Sequence, residues 1–355
     1  MNISTKLEEE HFDPDKPSQG YEWWYFDTIS LDKTWSLVVI FFQGNPFSPE
    51  YIKAGPEANP DQYPAISISI YKNGKPEYYS FLEYQEGRFH WDEEDGSCSI
   101  GSNFFKRSIR DGKVEYELLL AQTLDSNHSI NAKLKFTSSI LADDLIDHES
   151  EDEKHFWNLI QPHSQVNGSI SIKGKSNDFN ILFIGTGYHD HNTGYEPMKD
   201  SFKDWYWGRF HFSESTLIYY VMNSLDGSEQ YKAWLISREG DKVLTSFDEV
   251  KLNYFTKNRL GLSSARKLEL KSREVEATIQ LNSIMDNGPF YQRFLSEAVM
   301  QYKGNTMVAK GISEYIKPDQ IYEEKYWWMV RMRLRFLNQK PHWVQRSKMF
   351  YEWTW

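Results

Sequence analysis

Hydrophobic and polar positions alternate over many short stretches of this chain, with the two-residue period that is typical of β-strands. Turn residues separate these stretches, and the strongest hairpin signal is Asn73-Gly74 between two strand-like runs. Only residues 290–298 are compatible with a short helix. Evenly spaced strands without helical stretches between them predict an all-β protein of antiparallel barrels or sandwiches.

An aromatic strand, a short polar turn and an apolar strand that ends in an amide side chain occur in this order twice. The first copy covers residues 21–43 and the second covers residues 204–223. This weak internal repeat predicts two β domains of similar design. We place the N-terminal domain at residues 1–198 and the C-terminal domain at residues 199–355.

Each aromatic strand carries two tryptophans, Trp23 and Trp24 in the first copy and Trp205 and Trp207 in the second. Side chains two positions apart share a face of a strand, whereas adjacent side chains point to opposite faces. We expect these four rings in or near barrel interiors or at the domain interface, where they are candidates for substrate binding. The alternative is that they fill a sheet core, which aromatic side chains suit well.

The amino-acid composition and net charge of the chain limit the classes of molecule that it is expected to bind. An aromatic content of 16% fits a β protein with a large aromatic-lined interior, and a net charge of −11 argues against nucleic acid or an anionic membrane held by bulk electrostatics. A single cysteine, Cys98, excludes an internal disulfide.

The sequence shows no signal-peptide core and no apolar run of membrane-helix length, so we expect a cytoplasmic protein with at most peripheral membrane contact. The acidic run at residues 143–153 is expected to be a solvated loop.

The most concentrated set of reactive side chains lies in residues 185–197, after an apolar run that predicts a buried strand. If this stretch is extended, Tyr188, Asp190 and Asn192 share one face, and His189 and His191 share the other. Polar groups on a buried sheet face are costly unless they are hydrogen-bonded. The three side chains therefore form either a satisfied structural network or a functional site.

The two histidines also allow a metal hypothesis, because a His-x-His pair on a strand can ligate one ion. A catalytic zinc needs a third ligand, and no nearby residue is clearly placed on that face. We therefore predict that the protein needs no bound metal and no other cofactor.

Three motifs of this chain resemble those of the carotenoid 1,2-hydratase (hydroxyneurosporene synthase) family, which is lipocalin-like and related to fungal Diels–Alderases. The motifs are Tyr21-Glu22-Trp23-Trp24-Tyr25-Phe26-Asp27, His155-x-Trp157 with Pro162, and Gly187-Tyr188-x-Asp190-x-Asn192-x-Gly194-x-Glu196-Pro197. The resemblance implies two lipocalin-like antiparallel β-barrels in tandem and the addition of water to a terminal trisubstituted alkene of an acyclic carotenoid. It also implies that the catalytic residues are His155, Trp157, Tyr188 and Asp190. The chain differs from the pigment enzymes in being acidic and in placing histidines on both sides of the aspartate.

Hydration of an isolated alkene begins with a proton donor, and an aspartic acid buried among aromatic rings can remain protonated at neutral pH. We assign this role to Asp190, with Trp157 facing the cation, Tyr188 orienting the acid and His155 deprotonating the incoming water. Asn192 is a candidate for substrate binding. The predicted partner is a hydrophobic small molecule, an isoprenoid or polyene. The alternatives are a pericyclase that folds a polyene without an acid, and a non-catalytic carrier of a hydrophobic ligand.

Overall fold

The computed structural model describes residues 1–142, 145–148, 154–225, 227 and 229–355. Most of the acidic run at 143–153 lies outside these residues. The chain divides into two compact units, of which the first comprises residues 1–197 and 324–355 and the second residues 198–323. Each unit is built on one curled, mostly antiparallel sheet, so the predicted all-β, lipocalin-like fold is confirmed.

Among the described residues before 197, the first unit holds one sheet, one short α-helix and three 3-10 helices of three residues each. Its elements are β1 (Asn2–Ser4), β2 (Tyr21–Ser30), β3 (Trp35–Gln43), α1 (Pro49–Ala54), β4 (Ala65–Lys72), β5 (Lys75–Glu83), β6 (Phe89–Asp92), β7 (Ser97–Ile100), β8 (Asn103–Arg110), β9 (Lys113–Asp125), β10 (His128–Ser139), β11 (Asp147–His148), β12 (His155–Lys173) and β13 (Asp178–Gly194). Across the sheet the order is β5-β4-β3-β2-β13-β12-β10-β9-β8-β7-β6, and all of these neighbours are antiparallel. Strand β1 lies beside the start of β12 in parallel.

The hairpin between β4 and β5 follows the sequence signal. Asn73 and Gly74 both have positive φ, 53° and 74°, which the right-handed twist of a two-residue hairpin turn requires. The core of this unit lies on the face of the sheet to which Trp24 and Phe26 point. Strand β2 therefore turns Tyr21, Trp23 and Tyr25 to the opposite face.

The second unit repeats the plan with a smaller sheet. Its elements are α2 (Met198–Ser201), β14 (Asp204–His211), β15 (Ser215–Asn223), β16 (Glu229–Ser237), β17 (Val243–Ser246), β18 (Glu249–Asn253), β19 (Thr256–Lys257), β20 (Ser263–Ser264), β21 (Lys267–Lys271), β22 (Val275–Asn287), β23 (Tyr291–Tyr302) and β24 (Asn305–Ile316). The nine-stranded order is β17-β16-β15-β14-β24-β23-β22-β21-β18, and β19 pairs only with β20. Tyr206 and Phe210 of β14 point into the core of this unit.

The prediction of a short helix at residues 290–298 is wrong. Residues 291–298 belong to β23, which pairs with β22 on one side and β24 on the other. Pairing on both edges supplies backbone hydrogen bonds to both sides of the strand, and this tertiary context overrides the local pattern.

The last part of the chain differs from the expected division, which assigned all of 199–355 to the second domain. Residues 324–355 pack on the first unit. They contain α3 (Trp327–Arg333), β25 (Leu334–Phe336) and α4 (Lys348–Trp353), and β25 extends the first sheet by pairing in parallel with β5. The unpaired edge of a β-sheet can pair with any strand that reaches it, whatever that strand's position in the sequence. Among the described residues, the longest helix has seven residues, and none is long and apolar enough to cross a membrane.

Candidate active site

Three neighbouring strands of the first unit, β2, β13 and β12, bring the sequence-predicted residues together. Asp190 of β13 lies opposite Tyr25 of β2, and Asn192 lies between Trp23 of β2 and Trp157 of β12. Directly opposed residues of an antiparallel pair point to the same face. These side chains therefore share the sheet face that is turned away from the Trp24 core.

Asp190 accepts hydrogen bonds from three side chains. The hydroxyl of Tyr188 donates to Oδ2 at 2.7 Å, and the indole Nε1 of Trp157 donates to the same oxygen at 2.9 Å. Asn192 Nδ2 donates to Oδ1 at 2.9 Å. The carboxyl group is buried, with 5% of Asp190 exposed, and so are its three donors. Burial raises the pKa of Tyr188 well above its usual value, so its hydroxyl keeps the hydrogen that it donates.

His155 joins the same group through Asn192. Its Nε2 lies 3.2 Å from Asn192 Oδ1, and its Nδ1 lies 3.1 Å from the hydroxyl of Tyr21. Burial lowers the pKa of His155 from 6.5 to about 3, so the ring is neutral at physiological pH. A neutral ring satisfies both contacts when Nε2–H donates to Asn192 and Nδ1 accepts from Tyr21.

Aromatic side chains of β2 lie beside this network. Trp23 stacks on Tyr21 with ring centroids 5.2 Å apart, and it lies 5.6 Å from the ring of His155. Trp157 is 1% exposed. The indole and hydroxyl hydrogens of two buried aromatic residues, Trp157 and Tyr188, thus face the carboxyl group of Asp190.

The opposite face of β13 carries a different buried set. His189 Nε2 lies 2.7 Å from Glu10 Oε1, and His191 Nε2 lies 2.6 Å from Glu22 Oε1. The ring of His189 stacks on Phe26 with centroids 3.9 Å apart. The alternation of the sequence therefore separates the two histidines from Asp190 in space, as predicted.

The glutamate partners are themselves paired. Arg107 Nη1 lies 3.0 Å from Glu10 Oε2, which also accepts from the hydroxyl of Tyr116, while Lys16 Nζ binds Glu22. Burial raises the pKa of Glu10, but the charge of His189 and its hydrogen bond more than offset this, and the pKa lies below its usual value. Each histidine is thus held by a glutamate, and no cluster of three or more possible metal ligands occurs among the residues that the structure describes.

The four tryptophans occupy two kinds of position. Trp24 lies in the core of the first unit and stacks on His191 with centroids 4.8 Å apart, on the side opposite Asp190, whereas Trp23 lies on the Asp190 side. In the second unit, Trp205 and Trp207 are buried and share the face of β14 that is turned away from the core residue Tyr206. The substrate-binding role assigned to the four rings stays a prediction.

Sequence reasoning missed Tyr21, Glu10 and Glu22 as partners of the candidate residues. Tyr21 had a signal, because it lies two positions before Trp23 on a predicted strand and therefore shares its face. No sequence signal pointed to Glu10, because it lies in a polar N-terminal arm that has no periodic pattern of hydrophobic residues. Only folding brings it to His189, which lies 179 residues later in the sequence.

A separate cleft of about 470 Å³ opens in the second unit, and its lining includes Asp204, Tyr206 and Tyr315. Asp204 Oδ1 accepts a hydrogen bond from Asn223 Nδ2 at 2.7 Å, and burial raises the pKa of Asp204. None of the sequence-predicted site residues lines this cleft.

Comparison with known proteins relates the chain to enzymes of carotenoid chemistry. The sequence profile of the carotenoid hydratase CrtC family matches residues 39–336. Hydroxyneurosporene dehydrogenase of Chlorobaculum tepidum is 31% identical over 342 residues, which cover 90% of this chain and 88% of that protein. Acyclic carotenoid 1,2-hydratase of Thiocapsa roseopersicina is 25% identical, with 83% of this chain and 68% of that protein covered. Quinolone epoxide rearrangement protein asqO of Emericella nidulans is 24% identical, with 63% of this chain and 60% of that protein covered.

Two solved structures share the fold. The crystal structure of CghA with Sch210972 superposes with a TM-score of 0.59 at 10% identity and covers 89% of this chain and 94% of its own. A putative AttH of Nitrosomonas europaea superposes with a TM-score of 0.60 at 15% identity and covers 88% of this chain and 96% of its own. At such identities the likeness extends to the fold alone.

Proposed function

The chain belongs to the carotenoid hydratase CrtC family, and on this premise we propose that it is a cofactor-free hydratase that protonates an alkene of an isoprenoid or polyene and adds water to it. The observation that carries the proposal is the buried Asp190 with its three hydrogen-bond donors. We assign Asp190 the role of the catalytic acid.

The surroundings of Asp190 support an acid that gives up its proton during the reaction. Burial opposes a resting charge on the carboxyl group. When the proton leaves, Tyr188, Trp157 and Asn192 already point their hydrogens at the carboxylate that forms. Preorganised donors of this kind stabilise developing charge without any reorganisation, which is the largest catalytic contribution in many enzymes.

The proposed reaction has two steps. The carboxylic acid of Asp190 protonates the less substituted carbon of the alkene, which leaves a tertiary cation on the neighbouring carbon and a carboxylate on Asp190. Water then forms a bond to the cation, and its extra proton passes to the carboxylate. The product is a tertiary alcohol, and Asp190 is again protonated. The rings of Trp157 and Trp23 stabilise the cation between the two steps.

His155 has a positioning role in this scheme. A ring whose pKa is about 3 is a poor base at neutral pH, so we no longer assign it the deprotonation of water. Through Nε2 it fixes the amide of Asn192, whose Nδ2 then points at Asp190. Tyr21 holds the other ring nitrogen.

Mass spectrometry in ¹⁸O-labelled water tests the proposal, with acyclic carotenoids and shorter prenylated polyenes as substrates. We expect Asp190→Asn to lower hydration by a factor of about 10²–10⁴, because the amide keeps the shape but has no transferable proton. Tyr188→Phe removes one donor and is expected to lower kcat by about 10²-fold or somewhat less. Substrate binding, followed by tryptophan fluorescence, should persist in both variants.

Asp204→Asn is the matched control, because Asp204 is a half-buried aspartate that also accepts a hydrogen bond from an asparagine amide. We expect it to hydrate substrate at the native rate. Full activity in Asp190→Asn would refute the assignment, and loss of activity in Asp204→Asn alone would move the chemistry to the cleft of the second unit.

A second candidate is an acid-promoted rearrangement or cyclisation at the same Asp190. It is favoured by the relative whose name describes a quinolone epoxide rearrangement, since opening an epoxide also begins with protonation. The same assay separates the two reactions, because an isomerised product contains no ¹⁸O and has the mass of its substrate. A pericyclase would lose little activity in Asp190→Asn, and a carrier would bind the polyene without changing it.

A further inference from the structure

The exposed tryptophans of this protein lie close together in the sequence. Of the 13 tryptophans, all within the described residues, only Trp328, Trp343 and Trp353 are more than half exposed, at 58%, 62% and 76%. All three belong to residues 324–355, the segment that returns to the first unit. Large exposed apolar side chains that cluster mark an interaction surface.

Two of these tryptophans belong to one patch of surface at α4 and the turn before it. The ring of Trp343 packs against Phe350 with centroids 5.5 Å apart. On α4, Met349 and Trp353 are exposed four positions apart and therefore share one face of the helix, while Tyr351 points inward and is 0% exposed. The Trp343 patch, as we name it, consists of Lys340, Trp343, Arg346, Lys348, Met349, Phe350 and Trp353.

The patch is positively charged, although the whole chain is acidic. Residues 324–355 contain seven Lys and Arg against two Glu, a net charge of +5, whereas the whole chain carries −11. Lys340, Arg346 and Lys348 are all exposed. The acidic side chain of α4, Glu352, is mostly buried, and its Oε1 lies 2.9 Å from His128 Nε2 and 3.7 Å from Lys348 Nζ.

The first unit holds this patch firmly in place. Gln345 Nε2 contacts the carbonyls of Arg331, Met332 and Leu334 at 3.0–3.2 Å. Arg335 Nη1 donates to the carbonyl of Leu124 at 3.2 Å, so the segment is tied to β9. The exposed rings are thus carried by an ordered support.

We propose that the Trp343 patch docks the protein on an anionic lipid bilayer. Indole rings favour the boundary between headgroups and acyl chains, because one part of the ring is apolar and its N–H needs a polar partner. Lysine and arginine beside them are attracted to anionic headgroups. A second copy of this chain fits less well, since a two-fold contact would place the three exposed cations of one patch against those of the other.

Vesicle flotation of the full chain tests the proposal, with vesicles of phosphatidylcholine alone and of phosphatidylcholine mixed with phosphatidylglycerol. We expect binding to the mixed vesicles at least about tenfold stronger than to the neutral ones, and weaker binding as salt rises. The double variant Trp343→Ser/Trp353→Ser and the triple variant Lys340→Glu/Arg346→Glu/Lys348→Glu should each lower binding by about tenfold or more. The matched control, Tyr254→Ser/Phe255→Ser, removes two exposed rings of the second unit and should bind as the native protein does.

Three outcomes would overturn the proposal. They are no binding to mixed vesicles, binding that both patch variants retain, and an equal loss in the control. A native dimer that dissociates on Trp343→Ser/Trp353→Ser and ignores vesicles would instead assign the patch to self-association. The hydration assay with dissolved substrate is independent of this result, so docking can fail while the proposed function holds.

Discussion

Asp190, the residue at the centre of the candidate site, accepts hydrogen bonds from three buried side chains. Trp157 and Tyr188 donate to one carboxylate oxygen and Asn192 to the other. His155 fixes Asn192 from behind. At the residue scale, burial keeps His155 neutral, because water does not stabilise the imidazolium charge there.

The neutral state of His155 predicts a pH dependence of stability. A histidine in the unfolded chain titrates near 6.5, whereas in the folded protein burial lowers the pKa to about 3. Between these values the unfolded state binds a proton that the folded state does not, so acid favours unfolding. The contribution is complete above pH 6.5 and is lost as the pH falls towards 3, by about 1.4 kcal/mol per pH unit.

The variant His155→Gln isolates this effect, since glutamine offers a donor to Asn192 and an acceptor to Tyr21 but does not titrate. We expect its free energy of unfolding, from urea denaturation between pH 7 and pH 4.5, to fall less steeply than that of the native protein. Parallel curves for the two proteins would show that His155 is already charged in the folded state.

At the scale of the element, β13 is a strand with two polar faces, one for each buried network. It can carry both networks because β2 and β12 pair with its two edges and provide the hydrogen bonds of its backbone, so only its side chains need other partners.

Strand β13 ends at a glycine for a steric reason. A Cβ on Gly194 would lie 2.1 Å from Cζ of Tyr21, whose ring covers the glycine from the neighbouring strand. The same device recurs in the second unit, where Tyr219 covers Gly208.

Gly194→Ala is therefore expected to displace the ring of Tyr21 and break its hydrogen bond to His155. Overpacking of this kind costs about 1–3 kcal/mol of stability, and we expect activity to fall with it. Thermal unfolding and kcat, measured together, check this. Gly288→Ala is the control, because its nearest atom would be 3.2 Å away and only a small shift is needed. Equal effects of the two substitutions would contradict the role given to the Tyr21 ring.

At the scale of the whole molecule, the first unit is completed by residues from both ends of the chain. Strand β1 pairs with the start of β12, and β25 covers the edge of β5. Leu334, Val344 and Tyr351 of the returning segment are buried, with exposed fractions of 1%, 3% and 0%. The first unit therefore depends on residues that follow the second unit in the sequence.

Removal of residues 334–355 is expected to unfold the first unit or leave it marginal. The deletion exposes an unpaired strand edge and removes three buried side chains, each worth about 1.5–3 kcal/mol, from a fold whose total stability is about 5–15 kcal/mol. Circular dichroism melting and limited proteolysis measure the effect. Trp353→Ser, at an exposed position of the same segment, should change stability by no more than about 0.5 kcal/mol. A truncated protein that melts as the native one does would contradict this account.

Most of the strands, and the faces of their side chains, follow from the sequence alone, because the two-residue period is a property of an extended backbone and needs no partner. The sequence therefore placed Tyr188, Asp190 and Asn192 on one face and His189 and His191 on the other. Familial motifs added His155 and Trp157, which lie 35 and 33 residues before Asp190 and which no spacing could have joined to it.

Only the tertiary structure decided which strands became neighbours, because pairing depends on edges that meet in space and not on local pattern. It made a strand of residues 291–298, returned 324–355 to the first unit, and brought Tyr21 to His155 and Glu10 to His189. The tertiary structure also sets the protonation state of His155. The sequence supplies an imidazole with an ordinary pKa, and its burial among β2, β12 and β13 lowers that pKa to about 3.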